Sequence, residues 1–113
     1  MTPAVEVTLA ALADPTRRGV VDLLRRQPRR AGEIASELGM TAPAMSRHLR
    51  VLRKSGLVEE QSVDGDARVR VYHLKREPFS ALRDWLNEVE SFWTLQLGSF
   101  KEHAERTRGK RLS

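Results

Sequence analysis

Cysteine is absent from all 113 residues, which removes disulfides, thiolate metal sites, thiol redox sensing and cysteine nucleophiles together, and fits a reducing compartment. Missing too is any uninterrupted apolar run near the ~18 residues that a membrane span needs. The opening residues, MTPAVEVTLAALADPTRR, have no basic stretch ahead of an apolar one and carry Glu6 and Asp14, unlike an export signal. A soluble, cytoplasmic protein with no membrane partner is expected. No Gly-rich phosphate loop, metal-ligand cluster or Ser/His/Asp set is visible, and Gly109-Lys110 stands without such a loop, so no enzyme is expected. Internal repeats are absent as well.

The composition present, 40% hydrophobic and 31% charged, suits one small domain over residues 1–106, followed by a basic, disordered tail at 107–113. A domain of this size buries a thin core, and without disulfides a second subunit is a natural source of further apolar burial. The net charge of +5 points to a polyanionic partner. Its distribution is more telling. Residues 1–40 hold six cations and five anions, 41–77 eight and five, and 78–113 six and five, so the middle carries most of the excess.

That middle contains TAPAMSRHLRVLRKSGLV, residues 41–58, with four cations and no anion. Thr41 caps a helix over Ala42 to Lys54, and Gly56 ends it. At roughly 100° per residue Met45, Leu49 and Leu52 form a packing stripe, while Pro43, Arg47, Arg50 and Lys54 gather opposite. Upstream, a short helix is expected from Val5 to Leu12. A second is capped by Asp14 with Pro15 at its first position, and buries Val20, Val21, Leu23 and Leu24. A third spans Ala31 to Leu38, with Ile34, Ala35 and Leu38 inward and Gly39 as its stop. Arg30 stands where Ser or Thr would complete a capping box with Glu33, so that helix starts loosely. Residues 31–54 thus read as helix, three-residue turn, helix.

After Gly56 the period changes to two: Leu57 to Val63, a turn at Asp64-Gly65-Asp66, and Arg68 to Leu74 make a β-hairpin wing over 57–74. Glu77-Pro78 breaks the strand. A helix from Phe79 to Arg106 then places Phe79, Leu82, Leu86, Val89, Trp93, Leu97, Phe100 and Ala104 at three- and four-residue steps, with Trp85, Phe92 and Leu95 as a second apolar flank. Such a helix is too apolar to pack only on its own domain. With the first helix it is expected to form a homodimer interface from Val5, Leu9, Leu12, Leu82, Trp85, Leu86, Val89, Phe92, Trp93, Leu97 and Phe100. A second reading makes Trp85, Phe92 and Trp93 an aromatic pocket for an apolar effector, whose existence and identity the residues do not disclose.

The strings LADPTRRGVVDLL, GEIASELGM, APAMSRHLRVLRKSGLVEE and RVYHL resemble the ArsR/SmtB family of bacterial winged helix-turn-helix regulators over about residues 8–95. The resemblance implies a mainly α fold with a small β-hairpin, dimeric through its N- and C-terminal helices. It also implies repression from a short inverted-repeat DNA operator, often the protein's own promoter. The helix over 42–54 becomes the reading helix and that over 79–106 the dimerisation helix. Positions near the start of a reading helix approach base edges in the major groove, which nominates Ala42, Pro43, Ser46 and Arg47. Arg50, Arg53 and Lys54 suit phosphates, and Thr41 combines its cap with a phosphate contact. His48, beside the packing stripe, suits a structural or phosphate hydrogen bond. Arg68 and Arg70 of the wing are candidates for an adjacent groove. Where many relatives carry Gln this chain has Ala42, which leaves thymine-methyl contact or DNA shape to carry more of the specificity.

The family's metal sites are not matched. One uses paired cysteines; the other uses Asp-x-His followed by His-x-x-Glu or His-x-x-His on the last helix. Here Asp84 is followed by Leu86 and His103 by Arg106, and His48, His73 and His103 are scattered, so no metal or other cofactor is expected. An intersubunit site from His103 with Glu102 or Glu105 is the weaker reading beside solvated surface. The leading expectation is a dimeric, sequence-specific DNA-binding repressor that senses no metal. A protein-interaction module that reuses the winged fold for dimerisation, with weak DNA binding, is the alternative.

Overall fold

In the computed structural model the backbone of residues 1–112 is described, with side chains through Gln96 except Thr94. Helix α1 spans Pro3–Ala11, α2 Pro15–Leu24, α3 Ala31–Glu37 and α4 Ala42–Lys54. Strands β1 (Val58–Val63) and β2 (Asp66–Leu74) follow, then α5 (Arg76–Leu112). The chain divides into two compact units, residues 1–82 and 83–113.

The first unit is built on well-capped short helices. Thr2 Oγ1 accepts from Val5 N–H at 3.3 Å to start α1, and Asp14 Oδ1 accepts from the N–H groups of Thr16 at 2.8 Å and Arg17 at 3.1 Å to start α2, with Pro15 leading. The paired arginines that follow close the other end of the same corner. Arg17 Nε donates to Ala11 O at 2.6 Å and Arg18 Nη1 to Leu12 O at 2.8 Å, satisfying carbonyls that α1 leaves open. At α3 the capping box is half made: Glu33 Oε1 accepts from Arg30 N–H at 3.2 Å, while a guanidinium cannot accept in return.

Helices α3 and α4 end alike. Gly39 (φ +64°) and Gly56 (φ +76°) adopt the left-handed conformation that a β-carbon opposes. Met40 N–H then donates to Ala35 O at 2.9 Å and Leu57 N–H to Leu52 O at 3.0 Å, the long bonds of two Schellman endings. Each ending aims the next element. The first sends the chain directly into α4; the second drops Leu57 into the core before β1.

Ile34, Met45, Leu49, Leu52, Leu57 and Val20 are the fully enclosed apolar side chains, with Leu24, Ala35, Ala11 and Val58 beside them. The core is therefore a contact of α2, α3, α4 and the base of the hairpin, and Tyr72, Leu74 and Phe79 pack on its edge. The hairpin pairs antiparallel, Val58 opposite Leu74 and Glu60 opposite Tyr72, and turns through Asp64 (φ +52°) and Gly65 (φ +75°). Register slips between Ser62 and Val63, a bulge that leaves Arg68 near the tip. Arg29 extends the hairpin: its N–H donates to Tyr72 O at 3.1 Å and its carbonyl accepts from Tyr72 N–H at 2.8 Å.

Three expectations change. Helix α5 begins at Arg76, so Pro78 lies within its first turn, where an absent N–H costs no helical bond. The same helix runs on to Leu112, through the stretch expected to be a disordered tail. Val5, expected at a dimer interface, is 3% exposed within the single chain and so has no surface left to give a partner.

Candidate nucleic-acid interface

Helix α4 separates its two roles cleanly. Met45, Leu49 and Leu52 are at most 1% exposed, and holding them in the core forces Ala42, Pro43, Ser46, Arg47, Arg50, Arg53 and Lys54 outward. Thr41 Oγ1 accepts from Ala44 N–H at 3.3 Å, completing the cap while Thr41 itself stays exposed. Proline at the second position removes an N–H that would otherwise point unpaired from the helix start. Arg53 and Lys54 occupy the last turn, where their charge also complements the helix dipole.

The cations on this face fall into two kinds. Arg47, Arg50 and Lys54 make no ion pair among the described residues and extend into solvent. Arg53 and Arg70, expected to meet phosphates and a groove, share one carboxylate: Arg53 Nη1 stands 3.1 Å from Glu60 Oε2 and Arg70 Nε 2.9 Å from Glu60 Oε1. Both arginines keep about half their surface open, at 53% and 46% exposure. Arg68 is 91% exposed at the wing tip and is steadied by Asp66 Oδ1, which accepts from its N–H at 2.9 Å. Sequence reasoning did not single out Glu60. The signal was the strand period, which places residue 60 on the same hairpin face as residue 70.

His48, half-buried, lies beside the start of α2. Its Nδ1 lies 3.9 Å from Asp14 Oδ1, near the cap of α2. This placement accords with the structural role expected for it. The Arg17 N–H bond, followed by that of Thr16 and the nearby His48 and Arg17 charges, holds the Asp14 carboxyl below the usual carboxylate range, against an opposing desolvation. His73 Nε2 sits 3.2 Å from Glu59 Oε2 across the outer face of the hairpin. Among the described residues no group of three or more His, Cys, Asp or Glu is placed to hold a metal ion; His103 lies outside the described side chains.

On α5, Leu86, Val89, Phe92, Trp93 and Leu95 are exposed, Phe92 and Trp93 by 60% and 56%, and those two rings meet edge to face at 6.3 Å. Trp85 and Leu82 are half-buried, as are Leu9 and Leu12 of α1 and the loop after it. Leu97 and Phe100 lie outside the described side chains. Among the described residues no helix is long and apolar enough to cross a membrane.

A helix, a glycine-stopped turn, a second helix with a cationic outer face and a β-hairpin beside it define a winged helix-turn-helix DNA-binding protein. The family model described as "Bacterial regulatory protein, arsR family" matches residues 14–60. The chain is 37% identical over 92 residues to the HTH-type transcriptional regulator Rv2034 of Mycobacterium tuberculosis, covering 81% of this chain and 80% of that one. It is also 36% identical over 50 residues to the transcriptional repressor SdpR of Bacillus subtilis, covering 44% of this chain and 56% of that one. Among solved structures, the ArsR family transcriptional regulator RHA00566 superposes with a TM-score of 0.71 at 34% identity, covering 80% of this chain and 96% of that one. The protein belongs to the ArsR family of transcriptional regulators.

Proposed function

We propose that the protein is a homodimeric, sequence-specific repressor that occupies a short inverted-repeat operator, takes no metal and catalyses no reaction. The observation that carries this reading is the division of α4: three side chains in the core fix the helix, while Arg47, Arg50 and Lys54 face solvent without a partner among the described residues. Uncompensated cations on a rigid helix suit a polyanion, and the groove-sized rod that carries them suits duplex DNA. Ala42, Pro43, Ser46 and Arg47 at the start of the helix take the base edges. Arg50 and Lys54, farther along, take phosphates.

Dimerisation is supported by the apolar side chains that α5 leaves in water, a cost that burial against a second copy would remove. Two reading helices about 34 Å apart would then enter successive major grooves on one face of the duplex and exclude polymerase. The similarity to a transcriptional repressor of Bacillus subtilis supports repression over activation. The absence of the family's Cys and His sets from the sequence supports a regulator that senses no metal.

Selection of duplexes from a random pool tests the reading. Enrichment of an inverted repeat with half-sites about ten base pairs apart is the expected result. Recovery of no common sequence contradicts it, and with it the base-reading role of α4.

A further inference from the structure

Glu60 is the acidic residue on the inward face of the hairpin, the face that Val58, Tyr72 and Leu74 share on the core. Its side chain is 17% exposed, and each carboxylate oxygen stands against a different arginine: Arg53 from the last turn of α4 and Arg70 from β2. A carboxylate beside a DNA-facing surface repels phosphate and lowers affinity, so a half-buried one must be weighed against what it organises. It organises two long side chains. Each guanidinium has five N–H donors, sets one nitrogen against Glu60 and leaves about half of its side chain exposed. Arg53 and Arg70 thus meet at one carboxylate although they come from separate elements, and any ordering there removes part of the rotamer entropy that a phosphate contact would cost.

We propose that Glu60 is a positioning residue for sequence discrimination: it locks the wing cation Arg70 to the reading-helix cation Arg53, so that both meet the duplex backbone at one fixed spacing, while its charge weakens binding to other DNA. The assignment rests on the reading of α4 and the wing as the DNA-facing surface. Correct sequence lets Arg47 and its neighbours seat in the groove, and only then do the paired guanidiniums reach phosphates without leaving Glu60. On other sequence the helix seats poorly, and the held arginines cannot swing out to compensate.

Fluorescence anisotropy of the full-length chain tests this, using a duplex that the wild type recovers from a random pool and a scrambled duplex of the same composition, each across a salt series. Glu60→Gln is expected to bind the scrambled duplex at least as tightly as wild type. Its salt dependence should steepen, by about 0.9 in log–log slope for each added phosphate contact, as the arginines come free. Its preference for the selected duplex should fall about tenfold, the size of one ordered contact to a charged group. Arg70→Gln should reduce that preference in the wild-type background and have little effect in Glu60→Gln. Unchanged preference and slope in Glu60→Gln, with or without a lower Tm, would mean that the pair only ties strand to helix, and would overturn the assignment. Weaker binding of Glu60→Gln to the scrambled duplex overturns it equally. Should Glu60→Gln not fold, Arg70→Gln alone decides: loss of preference supports the assignment and an equal loss on both duplexes refutes it. A wild type that distinguishes no duplex from another fails earlier, at the DNA-reading step, and is recognised as such before any variant is compared.

Discussion

His48 on α4 turns its Nδ1 to within 3.9 Å of Asp14 Oδ1, the oxygen that caps α2. A residue of α4 thus lies beside the N-terminus of a helix two elements earlier. His48→Ala should accordingly lower thermal stability while leaving the affinity for DNA, measured at fixed salt, little changed. A large loss of affinity with an unchanged Tm would put the ring back on the phosphates.

The cap itself predicts a pH dependence. The Asp14 carboxyl titrates below its usual range in the folded protein, chiefly because Arg17 N–H donates to it. A folded value below the unfolded one contributes stability that is present above about pH 4 and is lost as pH falls through the folded value. Asp14→Asn keeps a capping oxygen but removes the titration. Melting curves of the two proteins, taken from neutral pH down toward pH ~3, should converge as the acid end is approached. Curves that stay parallel would show that Asp14 is not the titrating group.

Gly56→Ala separates strain from crowding. Nothing lies within 4 Å of the position a β-carbon would take, yet φ is +76°, so the whole cost is conformational. A loss of about 1–2 kcal/mol in urea unfolding is expected, with no change in the unfolding slope. Leu52→Ala, at 0% exposure, should cost more, about 2–5 kcal/mol, because it leaves a cavity in the core. The reverse ranking would contradict the placement of the core.

Much of the first unit was legible because its signals are local. Asp14-Pro15, Thr41-Ala42-Pro43, Gly39, Gly56 and Asp64-Gly65 each dictate a cap, an ending or a turn without help from distant residues, and α4 spans Ala42–Lys54 as its apolar spacing requires. What escaped depends on tertiary placement. Composition says that Arg53 and Arg70 are cations; only the fold brings both to Glu60. Likewise His48 lies at the edge of the packing stripe by helical angle alone, and only the position of α2 decides which way it turns. The start of α5 was missed for a simpler reason. Proline breaks a helix interior but is accepted in a first turn, and sequence alone did not distinguish the two at Pro78.

The apolar side of α5 makes its own prediction. Leu86→Glu and Val89→Glu replace side chains already exposed in the single chain, so helix content by circular dichroism should be unchanged. Sedimentation should report monomers, and affinity for a two-half-site duplex should fall by about a hundredfold or more as the second reading helix is no longer tethered to the first. Dimers that persist through both substitutions would place the interface elsewhere.

The most direct measurement is the affinity of Arg47→Ala and Arg50→Ala for selected and scrambled duplexes over a salt series. Arg47→Ala should cost about 1–3 kcal/mol on the selected duplex and little on the scrambled one. Arg50→Ala should weaken both alike and flatten the salt slope by about 0.9, the loss of one phosphate contact per half-site. Small and equal effects of the two substitutions on both duplexes would contradict the claim that the outer face of α4 reads DNA.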